Sequence, residues 1–487
     1  MAALAVLMLT TRRQAVLRND LPRSSRSRAF LENSWWGRQE EPGQQPQQGS
    51  PPLPLISVWE VPGANKLFPL PPGWQITILG KVPISHSGVL NVTDSSVSIV
   101  WNVKLADDGA SNEGPQKFVD GAPADFKVLF KGSRPGGLAI VVLQAAFPRL
   151  KEYLGNVSGH LQVSFVEQDA AVHQIADLDL QERDVGRPDD ADSLALQGQQ
   201  SIQHKPPSWG LDRIDQPEAV NLSAAGSFSY TAKAGERVHV YVLDTGIRTT
   251  HQDFGGRAVA ALQVLDDGLQ QCHPDSEHEN RQSCAVDKNG HGTRIAGVVG
   301  GHRYGVAKAC TLHAVKVLRD DGTGRSWFLL SAIDWIITQA ETPAVVVLAV
   351  EAEGQLGSVS YAIDQATKAG VTVIAAAGNQ GLSAKPSSCD YTPAFAANSF
   401  TVGSTTRTDA RSNFSSTGPC VDIMAPGSDI RTAAASSDSG EALLSGSAMA
   451  AAHTAGAAAL LLAEDPSLSP TQVAQGLIDT STSGYLT

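Results

Sequence analysis

No apolar run in this chain approaches the roughly 18 uninterrupted residues that a membrane-crossing helix requires, so no membrane span is expected. Positive charge is also scarce. With 37 Lys and Arg against 49 Asp and Glu the formal charge is -12, whereas a phosphate-binding protein neutralises phosphates with clustered cations, so no nucleic-acid partner is expected. Cys-X-X-Cys pairs are absent, which removes the usual basis for a zinc or thioredoxin-like site. The five cysteines, Cys272, Cys284, Cys310, Cys389 and Cys420, all fall in the C-terminal part. Local disulfides Cys272–Cys284 and Cys389–Cys420 are expected, which leaves Cys310, in an apolar stretch, as a small buried hydrophobe.

What is present is an ordinary globular composition, 42% hydrophobic and 18% charged over 487 residues, long enough for roughly three units. Residues 1–94 read as an N-terminal extension, disordered in part, with a Gln/Pro/Gly-rich linker over 40–54. Its apolar start has no positive residue before it and six arginines after it, from Arg12 to Arg28. A transit-like segment, a truncated secretory leader and a plain tail all fit that pattern, so localisation stays open between secreted or endomembrane and organellar. Sequons at Asn91, Asn156, Asn221 and Asn413 do not decide between them.

Short apolar runs at 98–105, 126–130, 138–143 and 161–166, with a helical stretch over 144–154, predict a small α+β domain over 95–175. Residues 176–205 are polar and acidic, with Asp189, Asp190 and Asp192 close together, and read as an exposed linker. From 206 to 487 the pattern alternates. Apolar runs at 238–243, 312–318, 344–350, 371–377 and 400–402 are separated by helical stretches at 292–299, 327–339, 359–368 and 449–462. Continuously apolar strands with helices between them predict an α/β domain with a mostly parallel central sheet covered on both faces. In such sheets function gathers beyond the carboxyl ends of the strands.

Four motifs fall there. Asp244-Thr245-Gly246 places a carboxylate at a strand end, and Asn289-Gly290-His291-Gly292-Thr293 sets a histidine between glycines that would let other groups approach it. Ala377-Gly378-Asn379 ends a buried strand in an amide able to donate to an oxyanion, and Ser445-Gly446-Ser447-Ala448-Met449-Ala450 opens an Ala/Leu-rich helix whose free N–H groups favour negative charge. Taken singly, each also reads as a cap or a turn.

Their order and wording resemble the subtilisin-like serine proteases, nearest to the proteinase K-like branch, over most of 206–480. Supporting stretches include Ser208-Trp209-Gly210-Leu211-Asp212-Arg213-Ile214, Tyr304-Gly305-Val306-Ala307-Lys308 and Asp422-Ile423-Met424-Ala425-Pro426-Gly427. The resemblance implies a three-layer fold in which Asp244 orients the histidine, His291 is the general base and Asn379 donates to the oxyanion. It implies no required cofactor, although Asp422, with carbonyls near Ala397 and Ser399, resembles a calcium site of some relatives.

The departures carry as much information. The family's Gly-Thr-Ser-Met-Ala falls on Gly446-Ser447-Ala448-Met449-Ala450, so the nucleophile position holds a methyl group. In subtilisin itself, from which the magnitude is borrowed, losing that serine costs on the order of 10⁶ in kcat. Ser447, one residue earlier, projects about 100° away on the helix and should miss both partners. Gly324, Arg325, Glu351, Ala352 and Glu353 fall where relatives bind substrate, and the acids Glu351 and Glu353 would narrow that cleft and repel acidic peptides. Arg294, where relatives usually carry a second histidine, should disfavour protonated His291.

The sequence from Phe165 to Asp169 resembles the last strand of an inhibitory propeptide. The resulting expectation is a pseudoprotease that binds a peptide or protein in its cleft and keeps its own prodomain attached. The alternatives are an active serine endopeptidase using Ser447 in a shifted loop, and a structural scaffold with an occluded cleft.

Overall fold

The computed structural model describes residues 9–10, 74–79, 82–87, 97–106, 113–132, 136–157, 163–185, 194–197, 200–217, 226–272, 284–384, 386–484 and 486. The Arg-rich segment 12–28, the linker 40–54 and Asp189, Asp190 and Asp192 lie outside these residues.

A ten-stranded sheet runs through the C-terminal unit in the order Gly268–Gln271, Ala258–Leu265, Thr311–Lys316, His239–Asp244, Ala344–Leu348, Thr372–Ala376, Phe400–Thr405, Ile423–Pro426, Leu9–Thr10 and Thr482–Ser483. From Ala258–Leu265 to Ile423–Pro426 all the pairings are parallel. The middle residues of these strands are mostly apolar because both faces are covered. Val240, Val242, Val345 and Val347 pack with helices His291–Gly300 and Ser447–Glu464, whereas Tyr241, Leu243, Val346 and Leu348 pack with helices Ser326–Gln339 and Gly357–Lys368. Each such side chain, fully buried, contributes roughly 1.5–3 kcal/mol before entropy is subtracted. The result is the three-layer α/β arrangement expected from the sequence.

Polar buttresses fix the layers. Arg213, in helix Trp209–Ile214, donates to Asp409 at 2.7 Å with both side chains buried. Disulfides join Cys272 to Cys284 and Cys389 to Cys420, and Cys310 is a buried free thiol, as expected. Among the described residues no helix is long and apolar enough to cross a membrane.

The upstream unit is a six-stranded sheet in the order Trp74–Leu79, Val82–Ser87, Val163–Gln168, Ser98–Leu105, Ile140–Ala146 and Lys127–Lys131, with helices Gly114–Asp120 and Phe147–Val157. It begins further upstream than the expected boundary at residue 95, because the hairpin Trp74–Ser87 pairs through Ile84 and Ser85 with the strand Val163–Gln168. One sheet face buries Trp101, Val103, Val141 and Leu143 against its own helices. The other turns Leu138, Ile140 and Val142 onto the C-terminal unit. Leu138 N donates to Asp334 at 2.6 Å, and Ala139 N to the Tyr361 hydroxyl at 3.1 Å.

The segment expected to be an exposed linker over 176–205 is ordered at both ends. Leu178–Asp184 pairs antiparallel with Gly440–Ser445, and Gln200–His204 with Ser227–Thr231. Main-chain bonds hold these strands while most side chains of 178–184 stay exposed, so no apolar period marks the first of them.

Candidate active site

Strand His239–Asp244 carries Asp244 to the carboxyl edge of the sheet. Its buried carboxylate accepts from the Thr245 amide at 2.7 Å, and its two oxygens lie 2.8 and 2.9 Å from His291 Nδ1. The loop ahead of the histidine is gathered by Asp287, which accepts from the amides of Asn289, Gly290 and Thr293 and from the hydroxyls of Thr245 and Thr293. Gly292 serves packing rather than access to the imidazole: a Cβ there would stand 2.1 Å from the Gly246 carbonyl oxygen and 3.1 Å from Asp244 Cβ. With Nδ1 committed to Asp244, Nε2 is the atom left for chemistry. It is buried, has no hydrogen-bond partner, and lies 3.7 Å from an oxygen of Asp177.

Past strand Thr372–Ala376 the chain turns at Gly378, whose φ of 97° favours glycine. The Gly378 amide donates to Ser447 Oγ at 3.1 Å, and the Ser447 amide donates to Asn379 Oδ1 at 2.9 Å. Asn379 Nδ2 in turn donates to the Ala176 carbonyl at 2.9 Å. Ala448, the second residue of helix Ser447–Glu464, is 1% exposed.

One stretch of chain therefore passes through the whole site. Its strand Ala171–Gln174 lies between two others, with Val172 opposite Gly324, Ala171 opposite Arg325, His173 opposite Glu351 and Gln174 opposite Val350. Ile175 N donates to the Ala349 carbonyl at 3.0 Å. Ala176 presents its carbonyl to Asn379, Asp177 stands beside His291, and Leu178–Asp184 continues along Gly440–Ser445. Upstream of this stretch, two buried acids cap two helices of the C-terminal unit. Glu167 accepts from the Gly357 amide and the Ser358 hydroxyl, and Asp169 accepts from Ser326 Oγ, the Trp327 amide and Arg325.

Burial opposes charge on the His291 ring, but the carboxylates of Asp244 and Asp177 outweigh it and raise the pKa to about 9. The expected effect of Arg294 is present but outweighed. Its guanidinium does disfavour the imidazolium, but it also donates to Asp177 at 2.6 Å and to Glu182 at 2.8 Å, and Asp177 places a second carboxylate against the ring. Glu351 turns under Gly378: its Oε2 lies 3.1 Å from where a Gly378 Cβ would be, and its Oε1 accepts from Gln380 at 3.1 Å. Burial raises this carboxyl to about 7.

Asp244, His291, Asn379 and the helix head bearing Ala448 are thus linked through Ala176 and Asp177, and Gly324, Arg325 and Glu351 lie opposite the crossing strand. Ala352 and Glu353 do not. Their register partners are Thr392 and Tyr391, because the strand Val350–Glu353 leaves the crossing segment after Glu351. Asp422 is also buried, but one of its oxygens accepts from the Thr401 amide at 2.7 Å, and it is not part of the one metal-competent group of three among the described residues, His239, His313 and Glu341. The calcium expectation, which calls on Asp422 with carbonyls near Ala397 and Ser399, enters no step below. Asp177, Glu182 and Asp287 were missed from the sequence. For Asp287 a signal existed in its place just ahead of the glycine-flanked histidine; for the other two there was none, since their partners lie more than a hundred residues away.

The model of the subtilase family, Peptidase S8, matches residues 235–486. An alkaline serine exoprotease A of Vibrio alginolyticus is 40% identical over 279 residues, covering 57% of this chain and 48% of that protein. An extracellular serine proteinase of Thermus sp. (strain Rt41A) is 41% identical over 273 residues, 56% of this chain and 61% of that protein. The subtilisin-like serine protease Pen c 2 of Penicillium citrinum is 32% identical over 359 residues, 69% of each chain. A crystal structure of a cold adapted subtilisin-like serine proteinase aligns with TM-score 0.49 at 36% identity, over 57% of this chain and 96% of that one. The chain thus spans about half of the first of these relatives and three fifths of the second.

Proposed function

The chain belongs to the subtilase family of serine proteases, and from that premise we propose that it is a pseudoprotease whose cleft binds an extended peptide without cutting it. What supports this reading is Ala448 at the head of helix Ser447–Glu464, the position on which the family's serine falls by the resemblance of the motif. Acyl transfer needs a hydroxyl whose proton passes to His291 Nε2 while the carbonyl oxygen gains charge beside Asn379. A methyl group supplies no attacking oxygen. The carbonyl of Ala176 is polarised by the Asn379 amide but meets no nucleophile, and the chain stays continuous through the site.

Two further observations support the reading. Ser447, the alternative hydroxyl at this position, is fully buried and accepts from the Gly378 amide, which makes it a brace of the Asn379 loop. Its neighbour Asn379 ties the same loop to the helix, so the shift needed to recruit Ser447 would break both bonds. In addition, the upstream unit serves as a prodomain that remains attached, with residues 171–184 as the bound peptide and the peptidase unit beginning near residue 206.

The test is labelling of the purified chain with a fluorophosphonate, which reacts with an activated serine. Unlabelled protein that releases no product from a peptide library is the expected result. Labelling at Ser447, abolished by His291→Ala, would establish the working enzyme instead.

A further inference from the structure

The leaving side of the cleft carries a charge arrangement that the missing nucleophile does not explain. Arg294 stands one turn into helix His291–Gly300 with its side chain 4% exposed, and it meets two carboxylates of the crossing segment with two different nitrogens: Nη2 to Asp177 at 2.6 Å and Nη1 to Glu182 at 2.8 Å. A guanidinium is a planar fork suited to such divided pairing. Asp177 Oδ1 faces the imidazole Nε2 of His291 at 3.7 Å on the other side. Asp177 immediately precedes, and Glu182 lies within, the strand Leu178–Asp184 whose backbone pairs with Gly440–Ser445, so register and charge select together.

We propose that this is an acid-reading subsite: Arg294 with His291 takes a peptide with an acidic residue directly after the carbonyl held by Asn379 and a second acid five residues later, and in this chain residues 177–182 occupy it. The proposal rests on the peptide-binding reading above and gives its ligand a chemistry. The earlier expectation of repulsion from acidic peptides applies only to the other side of the carbonyl, where Glu351 lies opposite His173.

Amide hydrogen exchange on the full chain separates the two ideas. The amides of Gln174 and Ile175, bonded to Gly322 and Ala349, report whether the cleft is filled at all, and those of 178–184 report the subsite. In Arg294→Gln, exchange over 178–184 should accelerate by roughly a hundredfold, since breaking one side of a buried pair is costly. Gln174 and Ile175 should stay protected. Asp177→Asn should do the same, and the double variant should show little beyond either single change, the mark of a direct pair. Unchanged exchange over 178–184 in Arg294→Gln, or additive effects, overturns the subsite. Fast exchange at Gln174 and Ile175 in the unaltered chain would instead overturn the filled cleft. Protection of the strands Ala344–Leu348 and Thr372–Ala376 serves as the folding control, and Arg294→Lys, which keeps one cation, is the milder variant if the first misfolds.

A second, independent observation lies at the opposite edge of the sheet. His239 starts its strand and His313 is the third residue of the adjacent strand Thr311–Lys316, with Nδ1 of the first 3.0 Å from Nε2 of the second, and Glu341 Oε2 lies 3.8 Å from the His239 ring. One ligand atom from each of the three lies within 4.8 Å of the others. His313 is held face to face on Tyr241, with ring centroids 4.3 Å apart, whereas the Glu341 side chain is 68% exposed and can swing. We infer that these three residues form a binding site for a divalent transition metal of the zinc class, with a solvent molecule as the fourth ligand.

Zinc titration of chelator-treated full chain, read by competition with a chromophoric chelator, tests it. One equivalent should bind, and His313→Asn should weaken it by roughly tenfold or more. Affinity unchanged in that variant, or no uptake by the unaltered chain, overturns the site. His239→Asn, nearer the surface, takes its place if His313→Asn does not fold.

Discussion

Asn379 holds the carbonyl of Ala176 at 2.9 Å, the contact an oxyanion donor makes with the bond about to be cut. Placing a serine at position 448 therefore tests the proposed machinery at once. Ala448→Ser should cleave itself, with a new N-terminus at or beside Asp177, and His291→Ala in the same background should abolish the cut. N-terminal sequencing of the purified products reads the outcome. An intact Ala448→Ser chain would show that the segment's acids or Glu351 also block the chemistry.

His291 gives a signed pH dependence. Its pKa rises from 6.5 to about 9 on folding, so its contribution to stability is complete below about 6.5 and fades as pH climbs through about 9. The difference in urea midpoint between the unaltered chain and His291→Gln should therefore shrink over that window. A difference that stays constant with pH would mean that the ring is neutral in the folded protein.

Glu351 titrates with the same sign for a different reason. Burial raises its carboxyl from 4.5 to about 7, with the Gln380 hydrogen bond opposing, so the folded state prefers the proton. Glu351→Gln should match the unaltered chain below about pH 4.5 and melt at a higher temperature above about pH 7. Scanning calorimetry at both ends decides it; a lower melting temperature in the alkaline range would show that the charge is accommodated.

Arg213 and Asp409 are both buried, and removing one leaves the other charged and unpaired. Asp409→Ala should cost about 3–5 kcal/mol of unfolding free energy, measured by urea titration. The double replacement by apolar residues should recover much of that loss.

The parts of this molecule that were readable from sequence are those written in apolar periodicity or local motif. The runs at 238–243 and 344–350 became the central strands because their side chains alternate between two buried layers. Asp244, His291 and Asn379 were visible because strand ends and glycines mark them. Leu178–Asp184 was not, since a strand held by main-chain bonds with exposed side chains has the composition of a loop. The ion pairs of Arg294 were not legible for a related reason: its partners, Asp177 and Glu182, are set by topology rather than by neighbourhood.

Because residues 171–184 are spliced into the cleft from within the same polypeptide, any outside peptide competes with a rival that never diffuses away. A short flexible tether alone gives an effective concentration of about a millimolar, and here the upstream end is also clamped by Glu167 and Asp169. A visitor of micromolar intrinsic affinity would thus look feeble against the intact chain. On the proposed peptide-binding reading, access to the cleft would be decided less by how well a newcomer fits than by whether something first severs or unseats the resident strand.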